Sequence, residues 1–223
     1  MRIFKPYRFY EKDEIERLAN ELLKRMQENP KYTPTYPLDA SRVADFLQLA
    51  VVWEKIDEDD EELIAARIFP LKRLIEINED ILKLPNGFEA STIAHEIGHW
   101  ILHIDTDGVD KLLERQETGI QFNLQPFLCR STNNQKETRS IEWQAQYFAS
   151  CLLMPRHILK EKRLGRDLTN WHDLYIMKDE LGVTISNLTH RLKELGWIHI
   201  IPNTGQILLG EAVPSHNKGL LYS

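Results

Sequence analysis

Apolar positions follow a helical period in some stretches of the chain and a shorter, β-like pattern in others. From Lys12 to Gln27, Ile15, Leu18, Leu22, Leu23 and Met26 share one face of a predicted amphipathic helix. Pro30, Pro34 and Pro37 then break the chain into a loop. Asp39 is placed to cap a second helix through Val43, Phe46 and Leu47. Three short runs read as strands: Leu49–Lys55, Leu63–Phe69 and Arg73–Asn78. The first two are separated by the acidic run Asp57–Glu62, which reads as a solvated hairpin loop. A third helix is expected over Glu89–His103.

Periodicity lapses from Asp105 to Ser140, where Gly108, Gly119 and Pro126 interrupt a polar stretch. This segment reads as an irregular insertion, either a lid or substrate-binding segment or a plain surface loop. A strongly apolar helix, Ile141–Met154, follows and is stopped by Pro155. The last third changes character. Asp173–Leu181, a turn at Gly182 and Thr184–Leu195 resemble a helix-turn-helix, with Thr184 as the second N-cap. Trp197–Ile201 and Gln206–Leu209, around Pro202-Asn203-Thr204-Gly205, read as a β-hairpin. The expected fold is α+β. A small domain of sheet and helices spans 1–155, with the insertion at about 105–140, and a helix-turn-helix or winged-helix-like module spans 156–223.

Composition narrows the class. The 223 residues are 42% hydrophobic and 28% charged, enough to bury a core without staples. Two cysteines, Cys129 and Cys151, imply no disulfide framework and suit a reducing compartment. The first ten residues lack the apolar core of a signal peptide, and no run is long enough to span a membrane, so the expected location is the cytoplasm. A net charge of −6 argues against nucleic-acid binding by the surface as a whole. Between Arg156 and Ile200 eight basic residues face six acidic ones, and the presumptive recognition helix offers only Asn187, His190, Arg191 and Lys193. DNA binding is therefore less favoured than a structural or protein-docking role.

The chemistry is concentrated in His95-Glu96-Ile97-Gly98-His99, an HExxH on a predicted helix. Spacing of i, i+4 sets both imidazoles on one side of the helix, within reach of one ion. Glu96, about 100° further round, is placed to touch the water on that ion rather than the ion. Gly98 costs the helix about 1 kcal/mol relative to Ala, a hint that something approaches closely there. A catalytic zinc needs a third protein ligand. Leu102 and Asp105 stand where an extended HExxHxxGxxH pattern needs Gly and His, so that class is excluded. Glu142 sits on an otherwise apolar helix, where a cation would compensate a buried carboxylate. It equally suits a solvent-facing helix start, and the residues alone leave the two readings open.

The segments Ser91–His103, Glu142–Ala149 and Leu152–Pro155 resemble the ImmA/IrrE family of metallo-endopeptidases, as do Arg73–Asn78 and Leu181–Leu188. The resemblance implies a minimal zincin fold, His95, His99 and Glu142 as ligands of zinc (or manganese, which the same donors accept), and Glu96 as general base. It also implies a protein substrate, a helix-turn-helix repressor. Position 146, where the family usually carries Asn or Asp, is Gln146 here, one turn after Glu142. His103 is expected beside the site rather than in it. Competing readings are a DNA-binding regulator with a structural or vestigial zinc site, and a partner protein acting by binding alone. An intact Glu96 favours catalysis over both, because a structural zinc needs no base.

Overall fold

The structure, a computed structural model, describes residues 3–56, 64–117, 127–128 and 136–212. Cys129 and the acidic run 57–62 lie outside them. Helix α1 (Lys12–Gln27) buries Ile15, Ala19, Leu22, Leu23 and Met26. Its first turn carries Asp13 and Glu14 and its last turn Lys24 and Arg25, each complementing the helix dipole. Helix α2 (Ala40–Phe46) starts at Asp39, whose carboxylate accepts a hydrogen bond from the Arg42 amide at 3.1 Å.

The sheet contains β1 (Ala50–Glu54), β2 (Ala66–Phe69), β3 (Leu74–Asn78) and β4 (Phe127–Leu128), in the order β1-β3-β2-β4. The first two strands do not form the hairpin expected around the acidic run. β3 lies between them, parallel to β1 with Val51 opposite Ile75, and antiparallel to β2 with Ile68 opposite Ile75. The hairpin is β2–β3. A single 3-10 turn, Pro70–Lys72, closes it with Arg73 at φ 46°, and so short a link brings the next strand directly alongside. Ile75 and Ile77 take the buried central position.

Helix α3 (Phe88–His103) packs on this sheet through Ile93, Ala94 and Ile97. The segment expected to be irregular begins instead with helix α4 (Thr106–Glu117). Its signal was present: Val109, Leu112 and Leu113 keep a helical spacing, and the Asp105 carboxylate accepts from the Gly108 amide. Gly108 obscures that spacing. Helix α5 (Lys136–Leu153) starts five residues before the apolar stretch, on polar residues that carry no periodicity. Strand β4 comes from the same insertion and pairs with Arg67 and Ile68, covering that part of the β2 edge.

Helix α6 (Arg156–Lys162) is short. Helices α7 (Trp171–Leu181) and α8 (Ile185–Glu194) are capped by Asn170 and Thr184, with Gly182 at φ 65° between them. Strands β5 (Ile198–Ile200) and β6 (Ile207–Leu209) form the expected antiparallel hairpin. Leu174, Met177, Leu188, Leu192 and Trp197 belong to the same hydrophobic cluster as Ile15 and Ile97. A buried ionic contact also ties α8 to the rest. Arg191, 0% exposed, donates to the Glu16 carboxylate at 3.1 Å, to the Tyr147 hydroxyl at 3.4 Å and to the Met154 carbonyl at 3.4 Å.

Candidate metal centre

Helices α3 and α5 pack in close backbone contact, and Gly98 allows it. A Cβ on Gly98 would stand 2.8 Å from the Ala145 carbonyl oxygen and 3.0 Å from the Ala145 Cα. Gly98 lies three residues after His95 and one before His99, and Ala145 lies three residues after Glu142. The point of closest approach is thus within a turn of all three candidate ligands.

These three side chains converge. One donor atom each from His95, His99 and Glu142 fall within 4.8 Å of one another. His95 Nε2 is 3.0 Å from His99 Nε2 and 3.0 Å from Glu142 Oε2, and His99 Nε2 is 3.5 Å from Glu142 Oε1. Burial pushes the His95 pKa down, but the hydrogen bond to Glu142 and the charges of Glu96 and Glu142 outweigh it, so the net shift is upward. Burial dominates at His99, whose pKa is lowered. For Glu142 burial acts upward, yet hydrogen bonds to both imidazoles and their charge hold the carboxyl below the usual range. The α5 position of Glu142 is therefore turned toward the imidazoles, not toward open solvent.

His103 stands behind this group. Its Nδ1 is 3.1 Å from His99 Nδ1. Burial, with the neighbouring His99 ring, pushes the His103 pKa down to about 3, so the ring is neutral near pH 7 and its Nδ1 can accept. A His99 Nδ1–H donated to it leaves the Nε2 lone pair directed at His95 and Glu142, the tautomer that ligation requires. Gln146, flagged in the sequence as a departure, is exposed and hydrogen-bonds the His95 ring. Cys151 is core, its thiol pushed up to about 12 by burial. Trp143 stacks between Phe9 and Tyr147, at 5.7 and 5.5 Å.

Glu96 is fully buried and, with His95, lines a cleft of about 640 Å³. Thr92 and Phe88 continue that wall along α3, and Ala65 and Ala66 bring the start of β2 to it. The opposite wall comes from α7 and α8 through Tyr175, Lys178, Ile185 and Asn187. Asn187 donates to the Ser91 hydroxyl at 2.5 Å, fixing α8 against α3 one turn before His95. Gly87, which caps α3, reinforces the junction: a Cβ there would lie 2.6 Å from the Val183 backbone.

Two imidazole nitrogens and a carboxylate gathered in one buried corner suit a first-row divalent metal. The fit is chemical as well as spatial, since three acceptor atoms crowded together need a cation or protons between them. Fold and donor set together define a metallopeptidase-like α+β protein. The chain belongs to the family described as the IrrE N-terminal-like domain, Peptidase M78, which it matches over residues 56–193. That span includes every residue of the centre and continues through most of α8. Among curated proteins none matches the chain significantly. A solved structure similar to it is that of a Mycobacterium tuberculosis transcriptional regulator, at 19% identity and a TM-score of 0.48. The similarity covers 85% of this chain and 49% of the regulator, so the chain spans about half that protein's length. Among the described residues no helix is long and apolar enough to cross a membrane.

Proposed function

We propose that this protein is a zinc-dependent endopeptidase of the cytoplasm, with His95, His99 and Glu142 as metal ligands and Glu96 as general base. The observation that carries this reading is the convergence of those three donors beside a cleft that one of them, His95, lines together with Glu96. A divalent metal there supplies Lewis acidity, lowering the pKa of a water toward about 7 and polarising a carbonyl. Glu96 takes the proton from the attacking water and returns it to the leaving amine. His103 and Gln146 hold the imidazoles in place. An extended substrate enters past Ala65 and Ala66, where the β2 strand meets the cleft. The substrate class is a regulatory protein, a helix-turn-helix repressor, and the α7–α8 pair with its hairpin forms the module of residues 156–223.

The test is a comparison of wild type with Glu96→Gln. Wild type should bind about one zinc per chain and cleave a repressor encoded beside its gene, with cleavage stopped by chelator. The variant should keep the metal and lose cleavage by at least about 100-fold. Equal cleavage rates would remove Glu96 as the base. The alternative, a DNA-binding regulator, has less to stand on than the sequence suggested. Of the four α8 residues the sequence offered as DNA contacts, Arg191 is buried against Glu16 and Asn187 is held by Ser91, leaving His190 and Lys193 exposed. Two such contacts supply little phosphate affinity.

A further inference from the structure

A second cavity, of about 160 Å³, lies between α5 and α8. Ser91, Gln146, Ser186 and Asn187 line both it and the cleft, so the two meet at a neck beside the catalytic helix. The neck adjoins the reacting centre, because Gln146 hydrogen-bonds the His95 ring and Ser91 lies one turn before that residue. Beyond it the walls are apolar: Trp143, Tyr147, Leu153 and Met154. The cavity also has a polar lining in Ser150, His190 and Glu194.

Two polar atoms of that lining are buried without a hydrogen-bond partner among the described residues: the Ser150 hydroxyl and Glu194 Oε2. Ser150 is 9% exposed. The other Glu194 oxygen accepts from Lys12 at 3.4 Å, and the His190 ring approaches Oε2 only to 3.7 Å. A buried acceptor stripped of water and given no donor is unfavourable, and a ligand that supplies the donor relieves it. Glu194 lies seven residues along α8 from Asn187 at the neck, about 10 Å of helix. At about 160 Å³ against about 640 Å³ for the cleft, the cavity is a slot for one side chain rather than for a stretch of peptide.

We propose that this slot is a side-chain specificity pocket for a residue flanking the scissile bond, and that it takes arginine or lysine. The aliphatic stem runs along the α5 wall, over Trp143, Tyr147, Leu153 and Met154, with α8 facing it. The cationic head donates to Glu194 Oε2 and the Ser150 hydroxyl. An apolar residue would leave both atoms unpaired, and an acidic one would meet the Glu194 carboxylate. The proposal rests on the peptidase reading above, and the experiment separates the two.

Zinc-loaded wild type is incubated with a peptide library cut from a bacterial proteome after Glu, so that internal Lys and Arg survive, and the new termini are identified by mass spectrometry. Arginine and lysine should be enriched at least about tenfold at one position adjoining the cut. Glu194→Gln should reduce that enrichment about tenfold with cleavage retained, and Glu194→Lys should shift it toward acidic residues. Cleavage with no basic preference, or with a preference unmoved by Glu194→Gln, overturns the pocket and leaves the peptidase standing. In parallel, metal-free protein is titrated with N-acetyl-arginine amide and with N-acetyl-norleucine amide while the Trp143 indole resonance is followed. Saturable binding of the arginine compound alone, weakened at least about tenfold in Glu194→Gln, supports the pocket even where no peptide is cut, in which case the peptidase reading falls by itself. Equal or absent binding of the two amides overturns it.

Discussion

Gly98→Ala tests how closely α3 and α5 must approach to build the metal centre. The added methyl would meet the Ala145 backbone at 2.8 Å, whereas ordinary contact begins at 3.4 Å, so the helices must part by about 0.6 Å at that point. Both sides of the contact are main chain, and no rotamer change can absorb it. Glu142 is one turn from Ala145 and moves with α5. Metal–ligand distances tolerate about ±0.2 Å, so the displacement exceeds the tolerance about threefold. Two effects of opposite sign act on stability: alanine favours the helix by about 1 kcal/mol, and overpacking costs about 1–3 kcal/mol. The expected outcome is metal-free protein of equal or slightly lower stability whose zinc affinity has dropped at least about tenfold. Competition with a chromophoric chelator reads the affinity, and urea unfolding with and without zinc reads the stability. Wild-type affinity in a protein made about 1 kcal/mol more stable would refute the reasoning, because it would show that the donors do not depend on this contact.

His103→Leu removes the acceptor from His99 Nδ1 while filling the space, and zinc affinity should fall about 10–100-fold in the same competition assay. Unchanged affinity would show that His99 needs no orienting partner. Glu16→Gln withdraws the charge facing the fully buried Arg191 and should destabilise the fold at pH 7 by about 3 kcal/mol, the low end of the usual ~3–5 because an amide still accepts a hydrogen bond. Burial raises the Glu16 pKa, but the Arg156 hydrogen bond and the charges of Arg191 and Arg156 outweigh it, leaving the folded value below the ordinary 4.5. Its stabilisation is therefore complete above that ordinary value and fades as pH falls through the folded one. Urea unfolding should find wild type and Glu16→Gln well separated at pH 7 and converging in acid. A gap that persists undiminished in acid would rule out the carboxylate as its source.

The residues themselves determined much of this protein. Periodicity placed α1 and the apolar stripe of α3, because amphipathic helices advertise their buried face every three to four residues, and the turn at Gly182 set off α7 from α8. The caps at Asp39 and Thr184 were legible for the same local reason: a short polar side chain bonds an amide two or three residues on. The HExxH spacing placed two imidazoles on one face of a helix, and Gly98 signalled a close approach without naming what approached. Strand order and the α4 helix were not legible. Pairing joins residues far apart in the chain, so nothing local announced that β3 separates β1 from β2, and Gly108 hid the weak apolar spacing of α4. Tertiary structure alone decided which way Glu142 faces, since its helix offered solvent and core alike until α3 packed against it. It also decided the fate of Arg191. On the sequence that residue was one of four polar positions on the thin face of a presumptive recognition helix. Folded, it is drawn inside by Glu16, 175 residues away, because a buried guanidinium is stable only where a distant carboxylate comes to meet it.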